Sequence, residues 1–242
     1  ALGRLLAEGD PAGATRWWRE AAAQGNVDAQ FALGRQLSGA GGGAADHLQG
    51  LGWYLQAATQ GDARALLTLG HLFQGGTDHL VAAAWRRAAE HGVAEAQFLL
   101  GGLHASGRGV ARDPAQAAHW FGLAAAQGHV GAQVALGVAW REGDGVAHDP
   151  AQAQVWFRRA AEQGDARAQW NLGALYAGGQ GVRRDLRQAF VWCRKAAEQG
   201  FAAAEATLGV LYARIGEPDQ AVAWWQRAAA QGDAEASFNL AR

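Results

Sequence analysis

The chain repeats itself. A glycine closes the phrase "AAxxG" at Gly25, Gly61, Gly92, Gly128, Gly164, Gly200 and Gly232, at spacings of 36, 31, 36, 36, 36 and 32 residues. A second glycine, in "LG", recurs at Gly3, Gly34, Gly70, Gly101, Gly137, Gly173 and Gly209, spaced 31, 36, 31, 36, 36 and 36. Self-similarity at such a period is the signature of a helical repeat array, and here it takes in nearly all 242 residues. Each repeat has too little apolar surface to fold alone and must complete its core against the next. The expected fold is therefore all-α, about seven antiparallel helix pairs in one repeat domain over residues 1–242.

Each unit divides into two helices. Helix A is exemplified by "DARAQWNLGALYAGG" and helix B by "DPAQAQVWFRRAAEQG". Helix B opens with Asp-Pro at Asp113-Pro114 and Asp149-Pro150; the aspartate caps orphan amides, and proline at the first helical position gives up an N–H that had no partner. Helix B stops at the anchor glycine, which adopts the left-handed conformation without steric cost. Asn26, Asp62 and Asp165 follow that glycine directly and are expected to cap the next helix A. The "LG" glycine lies inside helix A, where it costs about 1 kcal/mol relative to alanine. Its recurrence predicts close packing against a neighbouring helix backbone, with the pairs Ala88-Ala89, Ala160-Ala161 and Ala196-Ala197 thinning helix B in the same way. Trp53, Trp120, Trp156, Trp192 and Trp224 each stand eight residues before an anchor glycine, placed to fill the space between layers.

The totals exclude several function classes. A net charge of -1 argues against nucleic acid, which requires a basic face to displace counterions. One cysteine allows no intrachain disulfide. No apolar run approaches the roughly 20 residues of a membrane span, so no direct membrane insertion is expected. The chain has no methionine, opens on "ALGRLLAEGD" and closes on "AEASFNLAR", both mid-phrase; it reads as a piece of something longer.

The phrase "AxxxLGxLYxxGxGVxxDxxxAxxWxxxAAxxG" resembles the Sel-one-like repeat, a relative of the tetratricopeptide repeat. Residues 166–200 fit it through Ala168, Leu172-Gly173, Tyr176, Gly179-Gln180-Gly181-Val182, Asp185, Ala189, Trp192 and Ala196-Ala197, and residues 94–164 fit nearly as well. Three shorter units, near Leu2–Gly25, Ala65–Gly92 and Ala204–Gly232, lack the "GxGV" loop and resemble plain tetratricopeptide hairpins. The resemblance implies a right-handed α/α superhelix that binds other proteins as a scaffold or adaptor. It also implies a bacterial protein, with a periplasmic or secreted location favoured and roles in envelope assembly, signalling or host interaction.

No chemistry of an enzyme stands out. "GRGV", "GDGV" and "GQGV" join two helices and lack the preceding strand and the lysine or acidic partner of a nucleotide loop, so they read as turns. The eight histidines form no i, i+4 pair and neighbour no cysteine pair, which leaves no zinc spacing. Cys193 stands in a slot that holds Tyr54, Phe121, Phe157 or Trp225 in other units and reads as a small buried hydrophobe. No nucleophile elbow and no paired carboxylates are present, and nothing calls for a cofactor.

Helical geometry locates the free surface. Counting along helix A from the "LG" glycine, slots −5, −1 and +3 are near-constant Ala, Leu and Leu or aromatic, and share one stripe at 100° per residue. Slots −6, −3, +1 and +4 lie opposite and vary; in an α/α superhelix they line the concave surface that usually binds partners. Hot spots favour aromatic rings and arginine, so Phe31, Arg35, His71, Phe98, Arg141, Arg167 and Trp170 are the candidate contacts to a protein or peptide. The competing reading is that the −3 aromatics pack between adjacent A helices. The strip Ala203, Ala206, Val210 and Ala213 offers a smooth groove for an amphipathic helix. Rival functions are end-to-end self-association, through Leu2, Leu5 and Leu6 at one end and Phe238 and Leu240 at the other, and a regulatory subunit of an envelope, secretion or polysaccharide assembly.

Overall fold

The computed structural model describes residues 11–39, 44–72 and 78–241, and the regular elements among them are all α-helices, joined by short turns, with no strand. One compact unit, Ala1–Asp113, holds α1 (Pro11–Ala23), α2 (Val27–Leu37), α3 (Ala44–Thr59), α4 (Ala63–Leu72), α5 (Asp78–Glu90) and α6 (Ala94–Ser106). The other, Pro114–Arg242, begins with α7 (Pro114–Ala126), α8 (Val130–Glu142), α9 (Pro150–Glu162) and α10 (Ala166–Gly178). It continues with α11 (Leu186–Glu198), α12 (Ala202–Arg214), α13 (Pro218–Ala230) and α14 (Ala234–Leu240). Even-numbered helices are the A helices and odd-numbered the B helices; within each unit consecutive helices pack on one another. Gly3, Leu2, Leu5, Leu6 and the +4 slot at Gln74 lie outside the described residues.

The turns follow local chemistry. All seven anchor glycines are left-handed, with φ between 79° and 95°, where a side chain would be strained. Asn26, Asp62, Asp165 and Asp233 then accept from the amide three residues on, at 2.7–2.9 Å. His129 does the same through Nδ1 at 3.0 Å, a cap that the residue type does not advertise. In the "GxGV" loops the amides of Asp149 and Asp185 bond back to the carbonyls of Trp140 and Tyr176, at 2.8 and 3.0 Å. The second loop glycine is required twice over. Gly145 and Gly181 have positive φ, and a methyl on them would stand 2.0 Å from the Pro114 carbonyl oxygen and 2.2 Å from the Pro150 carbonyl carbon. These loops are tight turns laid against the start of the preceding B helix.

The "LG" glycine makes room for something other than a bare backbone. A methyl on Gly34 would meet the Tyr54 ring at 2.7 Å, on Gly70 the Trp85 indole at 2.0 Å, on Gly137 the Phe157 ring at 2.6 Å and on Gly209 the Trp225 indole at 2.3 Å. The aromatic seven residues before the next anchor glycine is therefore seated on helix A of the same hairpin. The expected backbone-to-backbone approach occurs as well, at Gly34, whose carbonyl lies 3.0 Å from a methyl position on Gly50 of α3, and at Gly173. At Gly173 the neighbour is Cys193, and the methyl would meet Sγ at 2.5 Å and also the Cys193 amide at 3.2 Å and the Ala189 carbonyl at 3.3 Å. The small side chain lets the helices close up. Cys193 is fully buried, and burial pushes its thiol up to about 12, so it stays a protonated, inert filler.

The tryptophans eight residues before the anchor glycine serve the next level of packing. Trp192 is buried with Ala153 and Phe157 of α9, the preceding B helix, and with Leu172 and Leu175 of α10, helix A of its own hairpin. Trp53 and Trp224 pack in the same sense, against Ala22, Ala29 and Leu33, and against Ala197, Ala204 and Leu208. Arg159, Lys195 and Arg227 lie over the rings of Trp156, Trp192 and Trp224 at 4.7, 4.5 and 4.6 Å, covering the wet side of each indole with a cation.

A polar ladder stitches the layers together. Gln30, Gln97, Gln133 and Gln169, at slot −4, are buried and donate to the carbonyls of Ala22, Ala89, Ala125 and Ala161 on the preceding B helix, at 3.1–3.3 Å. Gln60, Gln163 and Gln199, each just before an anchor glycine, donate in turn to the side-chain oxygens of Gln30, Gln133 and Gln169, at 2.8–2.9 Å. One buried amide thus ties three helices, satisfying a carbonyl that would otherwise be costly. The last rung is different. Glu205 replaces glutamine, is 1% exposed, accepts from Gln231 at 2.7 Å and pairs with Arg227 at 2.9 Å. Arg227→Ala leaves that charge with Gln231 alone and should cost about 2 kcal/mol, less than a fully buried pair because Arg227 is 55% exposed. Glu205→Gln restores the common rung and should leave stability unchanged or raise it. Urea denaturation of the two variants distinguishes these outcomes.

Candidate partner-binding face

The A-helix stripes are sorted by what packs. At slots −5 and −1, Ala29 and Leu33, Ala65 and Leu69, Ala96 and Leu100, Ala132 and Leu136, Ala168 and Leu172, and Ala204 and Leu208 are all buried. With the glutamine rungs of α2, α6, α8 and α10 and with Glu205 of α12, they fill one side of these six A helices. The opposite side holds the seven candidate residues, and each unit presents its own set.

In the first unit Phe31, Asp28 and Arg64 come together across two A helices. The Arg64 guanidinium lies 4.6 Å from the Phe31 ring centre and pairs with Asp28 at 2.7 Å and Asp62 at 2.6 Å. Burial alone would raise the Asp62 carboxyl, but hydrogen bonds from the Arg64 side chain and the Ala65 amide outweigh it and hold it below the ordinary carboxylate range. The same carboxylates push Arg64 further up. Phe31 also meets Tyr54, with ring centres 5.6 Å apart. Arg35 is exposed with no ion pair among the described residues, close enough to Tyr54 to oppose the burial that raises its phenol. His71 is exposed and stands edge-on to Trp85 at 5.7 Å. Phe98 is half-buried.

In the second unit the neighbouring A helices lock two candidates. Arg141 donates to the buried Asn171 side chain on α10 and pairs with Glu142 at 2.9 Å. Asn171 is itself anchored to the Arg167 carbonyl at 2.9 Å. Trp170 donates from Nε1 to Thr207 on α12 at 2.9 Å and packs on Phe201 at 5.8 Å. Its ring thus serves the junction between A helices, while Arg167 is exposed with no side-chain partner among the described residues. Part of the alanine strip is covered: Ala206 is buried with Ala228 and Ala236, so α14 lies over the proposed groove. Phe238 is 62% exposed and Leu240 half-buried.

The helix wheel finds the stripe but not the contacts that cross it, so it misses Asn171 and Thr207, which position Arg141 and Trp170. Polar residues at slot −2 beside a variable stripe were the available signal. Among the described residues no three of His, Cys, Asp and Glu gather as a metal site, and no helix is long and apolar enough to cross a membrane.

Comparison with known proteins places this geometry. The Sel1 repeat family model matches residues 2–26, 27–62, 94–129, 130–165, 166–201 and 215–233. The crystal structure of c5321, a protective antigen of uropathogenic Escherichia coli strains with an SLR fold, is 36% identical with a TM-score of 0.93, over 99% of this chain and 54% of that one. The chain thus spans about half the length of that antigen. A Sel1 repeat protein from Oxalobacter formigenes is 36% identical with a TM-score of 0.74, over 99% of this chain and 73% of that one. YrrB, a TPR protein with an unusual peptide-binding site, is 20% identical with a TM-score of 0.53, over 77% of this chain and 96% of that one, a likeness of fold alone. No curated protein matches the sequence.

Proposed function

Because the chain belongs to the Sel1-repeat family, an α/α solenoid family of protein-interaction scaffolds, we propose that it is a non-enzymatic adaptor that holds a protein or peptide partner along the exposed face of its A helices. One observation carries this reading. The packed sides of α2, α4, α6, α8, α10 and α12 are filled by buried alanine, leucine and glycine, with glutamine rungs on α2, α6, α8 and α10, while the opposite side leaves Arg35 and Arg167 exposed without side-chain ion pairs among the described residues. Arginine without a carboxylate partner keeps its full bidentate capacity for a partner's carboxylates or carbonyls. Phe31, under Arg64, and Trp170, fixed by Thr207, add rigid rings beside these cations at little entropic cost.

Arg141 is a poor probe, because it holds the buried Asn171. The informative variant is Arg35→Glu with Arg167→Glu, both at exposed sites. Quantitative capture on immobilised wild-type and variant chain should show specific partners depleted at least about tenfold by the reversal, the loss expected when attraction becomes repulsion at two contacts. Helical circular dichroism should be unchanged. Undiminished capture by a folded variant removes the A-helix face from the account.

A further inference from the structure

The loop between α10 and α11 carries charge that its turn does not need. It reads "GQGVRRDLRQ" where its full-length siblings read "GRGVARDPAQ" and "GDGVAHDPAQ". The turn itself is unchanged, with Gly179 and Gly181 left-handed and Asp185 capping α11 through the amides of Arg187 and Gln188 at 2.9 and 3.1 Å. In place of Arg183 and Arg187 the siblings have Ala111 and Ala115, or Ala147 and Ala151.

Arg183, Arg184 and Arg187 line one cleft of about 830 Å³ with Arg158 of α9. Arg158 is aligned by neutral partners only. It donates to the Tyr176 hydroxyl, and Gln154, with its amide turned to satisfy its neighbours, accepts from Nη2 at 2.7 Å and Nε at 3.0 Å. Arg183, Arg184 and Arg187 form no ion pair among the described residues. Asp185, the one acidic residue of the cleft, is committed to the helix cap. Four arginines therefore line the cleft with one carboxylate, and an anion entering it meets a net positive charge and donors that no ion pair has taken up. Tyr176, having accepted from Arg158, still has its own proton to donate. The remaining walls include Val182 and Leu186, which give apolar contact that a bare inorganic anion does not use.

We propose that this cleft binds an acidic peptide segment, its carboxylates on the four arginines and an apolar side chain against Val182, Leu186 and the Tyr176 ring. The site is formed by the B helices α9 and α11, the loop between α10 and α11, and Tyr176 near the end of α10, and none of the candidate residues of the A-helix face lines it. It therefore stands or falls separately from the adaptor reading.

The test is fluorescence anisotropy on the intact chain with a short labelled glutamate-rich peptide bearing one leucine and one phenylalanine, against the same peptide with glutamine throughout. The glutamate peptide should bind at least about tenfold more tightly, and the difference should shrink as salt rises. Arg183→Glu, Arg184→Glu and Arg187→Glu together should abolish the preference, and Arg35→Glu with Arg167→Glu should keep it. Should the triple reversal fail to fold by circular dichroism, Arg183→Gln with Arg187→Gln should lose most of the preference. Equal affinity for the two peptides, a preference undiminished in either cleft variant, or displacement by inorganic phosphate at concentrations below those of unlabelled peptide overturns the proposal.

Discussion

Gly137→Ala should destabilise the chain by about 2 kcal/mol, although alanine is the better helix former by about 1 kcal/mol. The new methyl would lie 2.6 Å from Cε1 and 2.7 Å from Cδ1 of Phe157, where carbon atoms pack best at about 3.5–4.0 Å. Phe157 is fully buried among Val134, Ala153, Ala160, Leu172 and Trp192, so the ring has nowhere to retreat, and a close-packed interior transmits the displacement. Gly102 is the control. It also lies inside an A helix, but a methyl there meets nothing within 4 Å, so Gly102→Ala should be neutral or stabilising by up to about 1 kcal/mol. Urea midpoints moving in opposite directions identify the aromatic seat as the reason for the glycine; a gain at both positions would show that it is not.

Cys193→Phe should be at least as damaging, about 3 kcal/mol, although the repeat itself recommends an aromatic at that slot through Tyr54, Trp85, Phe157 and Trp225. At Gly34, Gly70, Gly137 and Gly209 the atoms nearest the methyl position belong to an aromatic ring. Here the Cys193 amide and the Ala189 carbonyl approach to 3.2 and 3.3 Å of the Gly173 methyl position, and the space for a ring has been closed by backbone. Cys193→Ala, which removes only the sulfur, should cost about 1 kcal/mol. A stabilised phenylalanine variant in thermal melts would mean that the two helices part readily and that the close approach is incidental.

The parts of this fold legible in the sequence are those decided by neighbours within a few residues. Anchor glycines, the Asn26, Asp62 and Asp165 caps and the register of the Ala and Leu stripe depend on φ, on amides three residues away and on the 3.6-residue period. What the "LG" glycine accommodates is different, because period alone does not say which neighbour enters the gap. The tryptophan eight residues before the anchor and the aromatic seven before it are adjacent in sequence, yet the first bridges the preceding B helix and helix A of its own hairpin, while the second is seated on the glycine of that helix A. The glutamine ladder escaped because polar residues are read as surface. Its trace was the recurrence of Gln30, Gln97, Gln133 and Gln169 in a buried register, paired with Gln60, Gln163 and Gln199 before the anchors. The candidate face shows the same boundary. Its stripe follows from one helix, while the engagement of Arg141 by Asn171 and of Trp170 by Thr207 depends on the helix beside it.

The most direct measurement is site-specific photo-crosslinking in the native host, with benzoylphenylalanine in place of Ala174 on the A-helix face of α10 or of the exposed Val222 on the B helix α13. A scaffold that grips its partner along the A helices gives discrete partner adducts from position 174 and none of the same species from position 222. Adducts confined to position 222 would contradict it.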